Sequence, residues 1–576
     1  MAISLSTAPA SAQPKEGQVS PWGISSSAEW ANEYPKFNPL LEQVGVQWIR
    51  YFPSWTSIQR EGPNAFDWEN ADARMASAAQ HGIQPQGMLV FFPRWASADG
   101  KNPRANPVKD IKYWNRYVTA AAKRYLGKIE YWECWNEFNG SFSVSKNKPK
   151  DYAGLVKGAY KSLKAVDPNL KLGISCANFD LSFFRKVIEE GAGGHFDFVC
   201  IHPYENLGQV MKGGGEPGFL SLAASTRRML KDNGQDPNMP IWITEIGYKT
   251  LNVPNAERDR LQADAMVKCF TLSIASGIAV VEWFEARGPK YGKKKNEDYG
   301  LIRHDWTLRP AWNAFKQMTS TLGEFPEFTG WLNLGEEGGG YGFVFDNGQG
   351  ENVLVAWAPT RDGLPVTFPG KVTVTAINGQ GQALAAGEEY RLPWSPVYVT
   401  GLPSETLKQA KANRAKNFPW GGDFTEMTTV SHLLGSSLEQ GLILNTADRV
   451  TIINDLTETY ADTVNEKGQV PPQLNFRAHP SFLNASNTDK YEITVLAKRK
   501  PGTKKAPKLR ILFYESKDGY KRTGKPWEVP AGDQWHEHSW MVDNANFVGQ
   551  WGYNFCFAFP GKQPLLLKEV RLRKLN

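Results

Sequence analysis

Long hydrophobic runs are missing from this sequence. Nowhere do about 18 apolar residues follow one another, so no segment is expected to span a membrane. Cysteine is scarce, with 5 residues in 576. Cys134, Cys176, Cys200, Cys269 and Cys556 are odd in number, and no two are spaced as Cys-x-x-Cys. That argues against a disulfide framework and against a thiolate metal centre. Three of them sit in apolar, strand-like runs and read as buried thiols. A basic stripe is absent too. The net charge of +7 is spread along most of the chain, and with no matching motif it gives no footprint for nucleic acid. No Gly-x-Gly-x-x-Gly turn follows the first strand candidate, which weakens a dinucleotide site. His536-Glu537-His538 sets two imidazoles on one strand face without a third ligand, so no metal is expected.

Aromatic surface, by contrast, is plentiful: 21 Trp, 20 Tyr and 30 Phe. Flat rings suit the apolar faces of sugars, although most of these side chains are needed to fill cores. The length exceeds what one core supports, since domains run to about 100–200 residues and barrels to about 250. Met1 to Gly17 is small and rich in Ser, Ala and Pro, and Ala10-Ser11-Ala12-Gln13 resembles a signal-peptidase site. Residues 1–19 are therefore read as a flexible tail or signal remnant, and the expected location is secreted or periplasmic.

From residue 20 to 322 short β-forming runs alternate with amphipathic stretches such as Val108–Tyr125 and Ala256–Ser276. Eight strand candidates lie near 20–26, 45–52, 82–92, 129–137, 170–179, 196–204, 240–248 and 279–287. Eight βα units over this length predict an α/β fold, a (β/α)8 TIM barrel. Residues 323–404 read as a small β-sandwich packed on the barrel. Residues 405–416 read as a linker or short helix, and 417–576 as a jelly-roll-like β-sandwich with a carbohydrate-binding or structural role. Trp420, Trp527, Trp535, Trp540 and Trp551 are its candidate binding face.

Active sites of such barrels lie at the C-terminal strand ends. The fourth strand ends Trp135-Asn136-Glu137 and the seventh Thr244-Glu245. These strands are nearly opposite in an eight-membered ring, so two carboxylates face each other across the mouth, as glycosidic bond cleavage requires. A separation of about 5–5.5 Å means retention and about 6.5–9.5 Å inversion. Strict alternation would turn Asn136 and Glu137 to opposite faces, so the strand end must bulge or curl. Glu133 is the rival carboxylate, read as a core charge with a basic partner.

This motif pair resembles clan A of the glycoside hydrolases, and within it family 39, over about residues 20 to 403. The resemblance implies a retaining glycosidase that needs no cofactor, with Glu137 as acid/base and Glu245 as nucleophile. It implies that Asn136 holds the sugar 2-hydroxyl and that Arg50 supports the nucleophile. His202 and Tyr204 are placed near the nucleophile, and Trp283 at the floor of the sugar site. Trp95, Trp135 and Glu285 are further candidates for substrate contact. Val90-Phe91-Phe92 departs from the family pattern. A nearby negative Glu245 is expected to raise the pKa of Glu137. Lys290, in the loop Gly288–Asn296, begins a lysine-rich run that would attract a uronate or sulfated sugar, with Arg94, Lys101 and Arg104 adding charge. The partner is thus a poly- or oligosaccharide. A transglycosidase shares every one of these residues, and a non-catalytic glycan-binding barrel would lack one carboxylate or its supports.

Overall fold

The computed structural model describes residues 18–575 apart from 27–32, 52, 106–107, 289–296, 435–439, 456–457, 485–487 and 523. The signal-like stretch Ala10-Ser11-Ala12-Gln13, Lys290 and the rest of the lysine-rich run lie outside the described residues.

Eight parallel strands close into a barrel in sequence order: Trp22–Ser25, Trp48–Tyr51, Gln84–Leu89, Tyr131–Cys134, Lys171–Ser175, Phe198–Ile201, Ile241–Ile246 and Val280–Phe284. Each falls inside one of the expected segments. Local chemistry sets the helix ends between them. The stretch Val108–Tyr125 becomes the helix Ile111–Arg124, because the Asp110 side chain accepts from the Lys112 backbone N–H at 2.9 Å and caps it. The helix Ala256–Ser276 starts at the Asn255 cap and stops at Gly277, where φ is +85°.

Alternation along the strands sorts the barrel interior by height. The lower layer is a dry aromatic plug. Trp48, Phe198 and Trp242 are buried there with Val280 and Cys200, and Tyr131 packs against them. The Trp48 and Trp242 rings meet edge to face at 5.1 Å, and Tyr131 stacks on Trp242 at 4.8 Å. Burying each such ring stabilises the barrel by about 1.5–3 kcal/mol. Two residues further along each strand the layer is polar, and it contains Arg50, Gln86, Glu133, Glu282 and Thr244, all buried. The next layer is the mouth. The plug leaves no room opposite Phe198: a Cβ on Gly173 would lie 2.6 Å from its ring and 2.8 Å from Cys200 Sγ.

Beyond the barrel the chain turns antiparallel. Six strands between Glu327 and Thr400 form one sheet, whose two faces do different jobs. Phe343, Phe345, Val353, Val355, Trp357 and Tyr398 join the barrel core. Val344, Leu354, Ala356, Val397 and Val399 form a separate core. That second face is covered by a two-stranded piece, Leu364–Val366 with Tyr390–Leu392, and by the helix Ser404–Asn413. The stretch expected to be a linker or short helix is thus a packed helix. Its Ala410 is fully buried, and the Asn413 amide donates to the Trp331 carbonyl at 3.1 Å. The last domain is a sandwich of two six-stranded sheets around its own core.

The five tryptophans expected on its binding face do not share one. Trp420 is buried against Tyr341 and Phe343 of the preceding sheet, and Trp540 is buried in the sandwich. Trp527 stacks on His538 at 4.9 Å, and Trp535 lies under Lys498. Trp551 is 39% exposed.

Two glycines test the packing account. Gly173→Ala should cost about 1–3 kcal/mol, the usual penalty for overfilling a packed core. Gly154→Ala, on a helix where a Cβ meets nothing within 4 Å, should be neutral or stabilising by up to about 1 kcal/mol. Thermal unfolding of both variants decides it. Equal midpoints would mean the plug is softer than its contacts suggest.

Candidate active site

Both carboxylate-bearing strand ends break the β pattern. The fourth strand stops at Cys134, and Trp135 and Glu137 take φ of +66° and +47°. This left-handed curl turns Asn136 and Glu137 to the same side. On the seventh strand, Ile243 and Ile246 pair with Val281 and Trp283 of the eighth, a register shift that bulges Thr244 and Glu245. Both side chains then reach the barrel interior.

Arg50 is the hub, with its side chain wholly buried. Its Nε and Nη2 donate to Glu133 at 3.0 and 2.8 Å, Nη2 also to Asn136 Oδ1 at 2.8 Å, and Nη1 to Glu245 Oε2 at 2.7 Å. Gln86 adds a donor to Glu133 at 3.1 Å. Tyr204 donates to the other Glu245 oxygen at 3.0 Å. His202 places Nδ1 2.9 Å from Glu137 and Nε2 3.1 Å from Thr244 Oγ1, with Glu133 at 3.8 Å.

These contacts divide the charges. Burial opposes ionisation of Glu133, but Arg50 and His202 outweigh it and hold this carboxyl well below the usual range. Glu282 lies fully buried in the same layer; burial dominates there and pushes its carboxyl well up. Burial also opposes a charge on His202, yet its pairing with Glu133 and Glu137 and the field of Glu245 raise it to about 9. The imidazolium overcomes the effect of burial on Glu137 and lowers that carboxyl. This departs from the expectation of a raised value: in the resting site the proton sits on the histidine of a shared pair. One oxygen of Glu137, one of Glu245 and a nitrogen of His202 lie within 4.8 Å of one another, compact enough to cradle an ion. Both nitrogens of His202 and both oxygens of Glu245 already have protein partners, which suits proton transfer better than ligation.

A family model described as glycosyl hydrolases family 39 matches residues 18–275, which hold seven of the eight barrel strands. Over these residues the barrel is similar to glycosyl hydrolase family 39. A family 39 glycoside hydrolase from Bacteroides cellulosilyticus WH2 is similar in structure with a TM-score of 0.54 at 19% identity, over 66% of this chain and 81% of its own. A family 39 β-xylosidase from Caulobacter crescentus gives 0.47 at 15%, over 69% and 98%. A glucosidase from Croceicoccus marinus gives 0.46 at 12%, over 99% and 97%.

Within the barrel several expected residues fall elsewhere. Trp283 alternates outward into the helix shell and is fully buried, so it does not floor the site. Its neighbour Phe284 is the half-buried inward aromatic, 5.6 Å from the ring of Tyr299. Trp135 is buried beneath the curl, between Phe92 and Phe138, and offers no face to a sugar. Trp95 packs on Trp55 and Tyr113 and donates to the Gln59 carbonyl. His202 bonds Glu137 and also lies near the nucleophile position, with a nitrogen within 4.8 Å of a Glu245 oxygen. Glu285 is buried at the strand end, its backbone paired with Tyr299 and Leu301. Arg104 stacks on Phe142 at 4.5 Å, while Arg94 and Lys101 are exposed.

The sequence reading missed Glu205. It follows Tyr204, and burial together with the charge of Glu137 pushes its carboxyl up to about 7. The Asn178 amide, turned to donate, lies 2.8 Å from it. Its position next to a site tyrosine was the available signal.

The pH dependence carries a sign. The His202–Glu137 pair holds its proton below about 9 and loses it as pH rises through that value. The alkaline limb of kcat/KM should therefore lie near pH 9. His202→Asn should move it to lower pH, since Glu137 would then hold its proton alone. An unmoved limb in the variant would show that His202 does not share the catalytic proton.

Proposed function

We propose that the chain is a retaining glycoside hydrolase in which Glu245 attacks the anomeric carbon and Glu137 protonates the leaving oxygen. One observation carries the assignment of roles: a Glu137 oxygen and a Glu245 oxygen approach within 4.8 Å across the mouth. That spacing lies near the about 5–5.5 Å of retaining pairs and well short of the about 6.5–9.5 Å of inverting ones.

The roles follow from the contacts. Arg50 and Tyr204 bond both oxygens of Glu245, which fixes and aims it. Attack breaks the glycosidic C–O bond and forms a glycosyl ester while Glu137 gives its proton to the departing oxygen. Glu137 then takes a proton from water, whose oxygen displaces Glu245 and restores the free carboxylate. Arg50 also fixes the Asn136 amide with its oxygen inward. Its N–H groups are left to donate to the 2-hydroxyl, a bond that strengthens at the transition state. A sugar as acceptor in place of water makes the same site a transglycosidase, and product analysis separates the two.

The finer proposal, an anionic glycan, rests on the sequence of the Lys290 loop. It predicts that KM on a uronate-containing polysaccharide rises steeply with salt, while KM on a neutral one does not. Equal salt response on both would remove it.

New reducing ends, followed on neutral and acidic polysaccharides, test the main reading. Glu137→Gln should lose at least about 100-fold, the scale of general acid catalysis. Glu245→Gly should be inactive, and added azide should release a glycosyl azide of inverted configuration. Undiminished hydrolysis in either variant would reassign that carboxylate.

A further inference from the structure

The C-terminal sandwich is not a separate module beside the barrel. Its loops sit on the face where the active site opens. Ser182, just after the fifth strand, donates to the Ser516 carbonyl at 2.8 Å, and Asn206, just after the sixth, to the Gly549 carbonyl at 3.3 Å. Arg477 reaches back to the Gly214 carbonyl at 2.8 Å. A Cβ on Gly552 would stand 3.3 Å from the Glu205 carbonyl oxygen. Glu205 in turn feels the charge of Glu137. Asn139, two residues past Glu137, donates to Asp180 at 2.9 Å, and Asp180 is bonded by Gln550 of the sandwich.

The loop that makes this approach is held rigid. Glu515, buried in the sandwich, accepts from the backbone N–H groups of Val548, Gly549 and Gln550 and from the Asn554 amide, at 2.5–2.9 Å. Four donors on one buried carboxylate fix the backbone on both sides of Trp551. The indole of Trp551 is 39% exposed although its neighbours Gln550 and Gly552 are buried. Tyr520 lies 6.5 Å from it, and Tyr553 6.3 Å from Tyr520. A large ring, held open by a rigid loop beside a glycosidase mouth, is placed to stack on a sugar.

We propose that Trp551, backed by Tyr520 and Tyr553, is a sugar-binding platform of the catalytic cleft on its leaving-group side, so that the sandwich completes the substrate site. The side follows from the neighbours: the loop abuts Glu205 and Asp180, which flank the acid Glu137, the residue that meets the leaving oxygen. The proposal rests on the retaining-hydrolase reading of that site.

The test uses full-length chains. Glu137→Gln and Glu137→Gln/Trp551→Ala are compared on an array of neutral and uronate-containing oligosaccharides, from disaccharides to octasaccharides. Wild type and Trp551→Ala are assayed in parallel on the cleaved polysaccharide and on an aryl glycoside of its terminal sugar. Trp551→Ala should weaken binding of long oligosaccharides and raise KM on the polysaccharide by about tenfold, near 1.4 kcal/mol. Disaccharide binding and aryl glycoside turnover should fall much less than this, and Trp551→Tyr should restore most of the loss. Equal losses on short and long ligands, or no loss on long ones, would overturn the platform while cleavage by wild type leaves the hydrolase reading standing. Length-dependent loss of binding without any cleavage by wild type would support the platform and overturn the hydrolase reading alone.

Discussion

The active site depends on one buried guanidinium. Arg50 has no contact with water, and a charge in that position is tolerable only if its fixed fork of donors is satisfied. Glu133 takes two of those donors, and the remaining ones define where Asn136 and Glu245 must be. Removing one partner of such a buried pair typically costs about 3–5 kcal/mol, because the other charge is stranded. The same atoms therefore hold the barrel interior together and aim the nucleophile. Glu133 is the structural half of the arrangement and Glu245 the chemical half, and a single side chain couples them.

The proton balance follows from that coupling. Arg50 pairs with Glu133 and Glu245, whereas Glu137 pairs with His202 at 2.9 Å. Glu137 is thus the carboxylate with a proton donor, rather than a fixed cation, as its partner. His202 can pass its Nδ1 proton to Glu137 while Nε2 still faces Thr244 and Glu133. The histidine thus belongs with the acid, although its place on the sixth strand suggested the nucleophile.

Much of this was legible in the sequence because the relevant signals are local. Strand periodicity located the eight barrel strands, and carboxylates at the ends of the fourth and seventh fixed which residues face the mouth. What escaped depends on height and direction within the barrel. Trp283 and Phe284 are adjacent, and only the register of the eighth strand tells which one points inward. Glu205 was hidden because the turn of helix that begins at Tyr204 brings it under Asn178, a contact between separate strand ends. The helix Ser404–Asn413 read as a possible linker because its polar, lysine-rich face dominates the composition, while the one residue that anchors it, Ala410, is inconspicuous.

Trp135 shows why the departures from regular geometry are informative. A tryptophan at φ +66° is unfavourable by about 1–3 kcal/mol, and such a conformation persists only where packing over-determines it. Here the indole is locked among Phe91, Phe92, Trp114 and Phe138, and its Nε1 donates to the Phe142 carbonyl at 3.0 Å. That cluster holds the chain in the left-handed curl, and the curl is what turns both Asn136 and Glu137 toward the substrate. The phenylalanines that depart from the family pattern, Phe91 and Phe92, are two of its walls. The residue expected to touch the sugar instead stabilises the backbone that lets its neighbours do so.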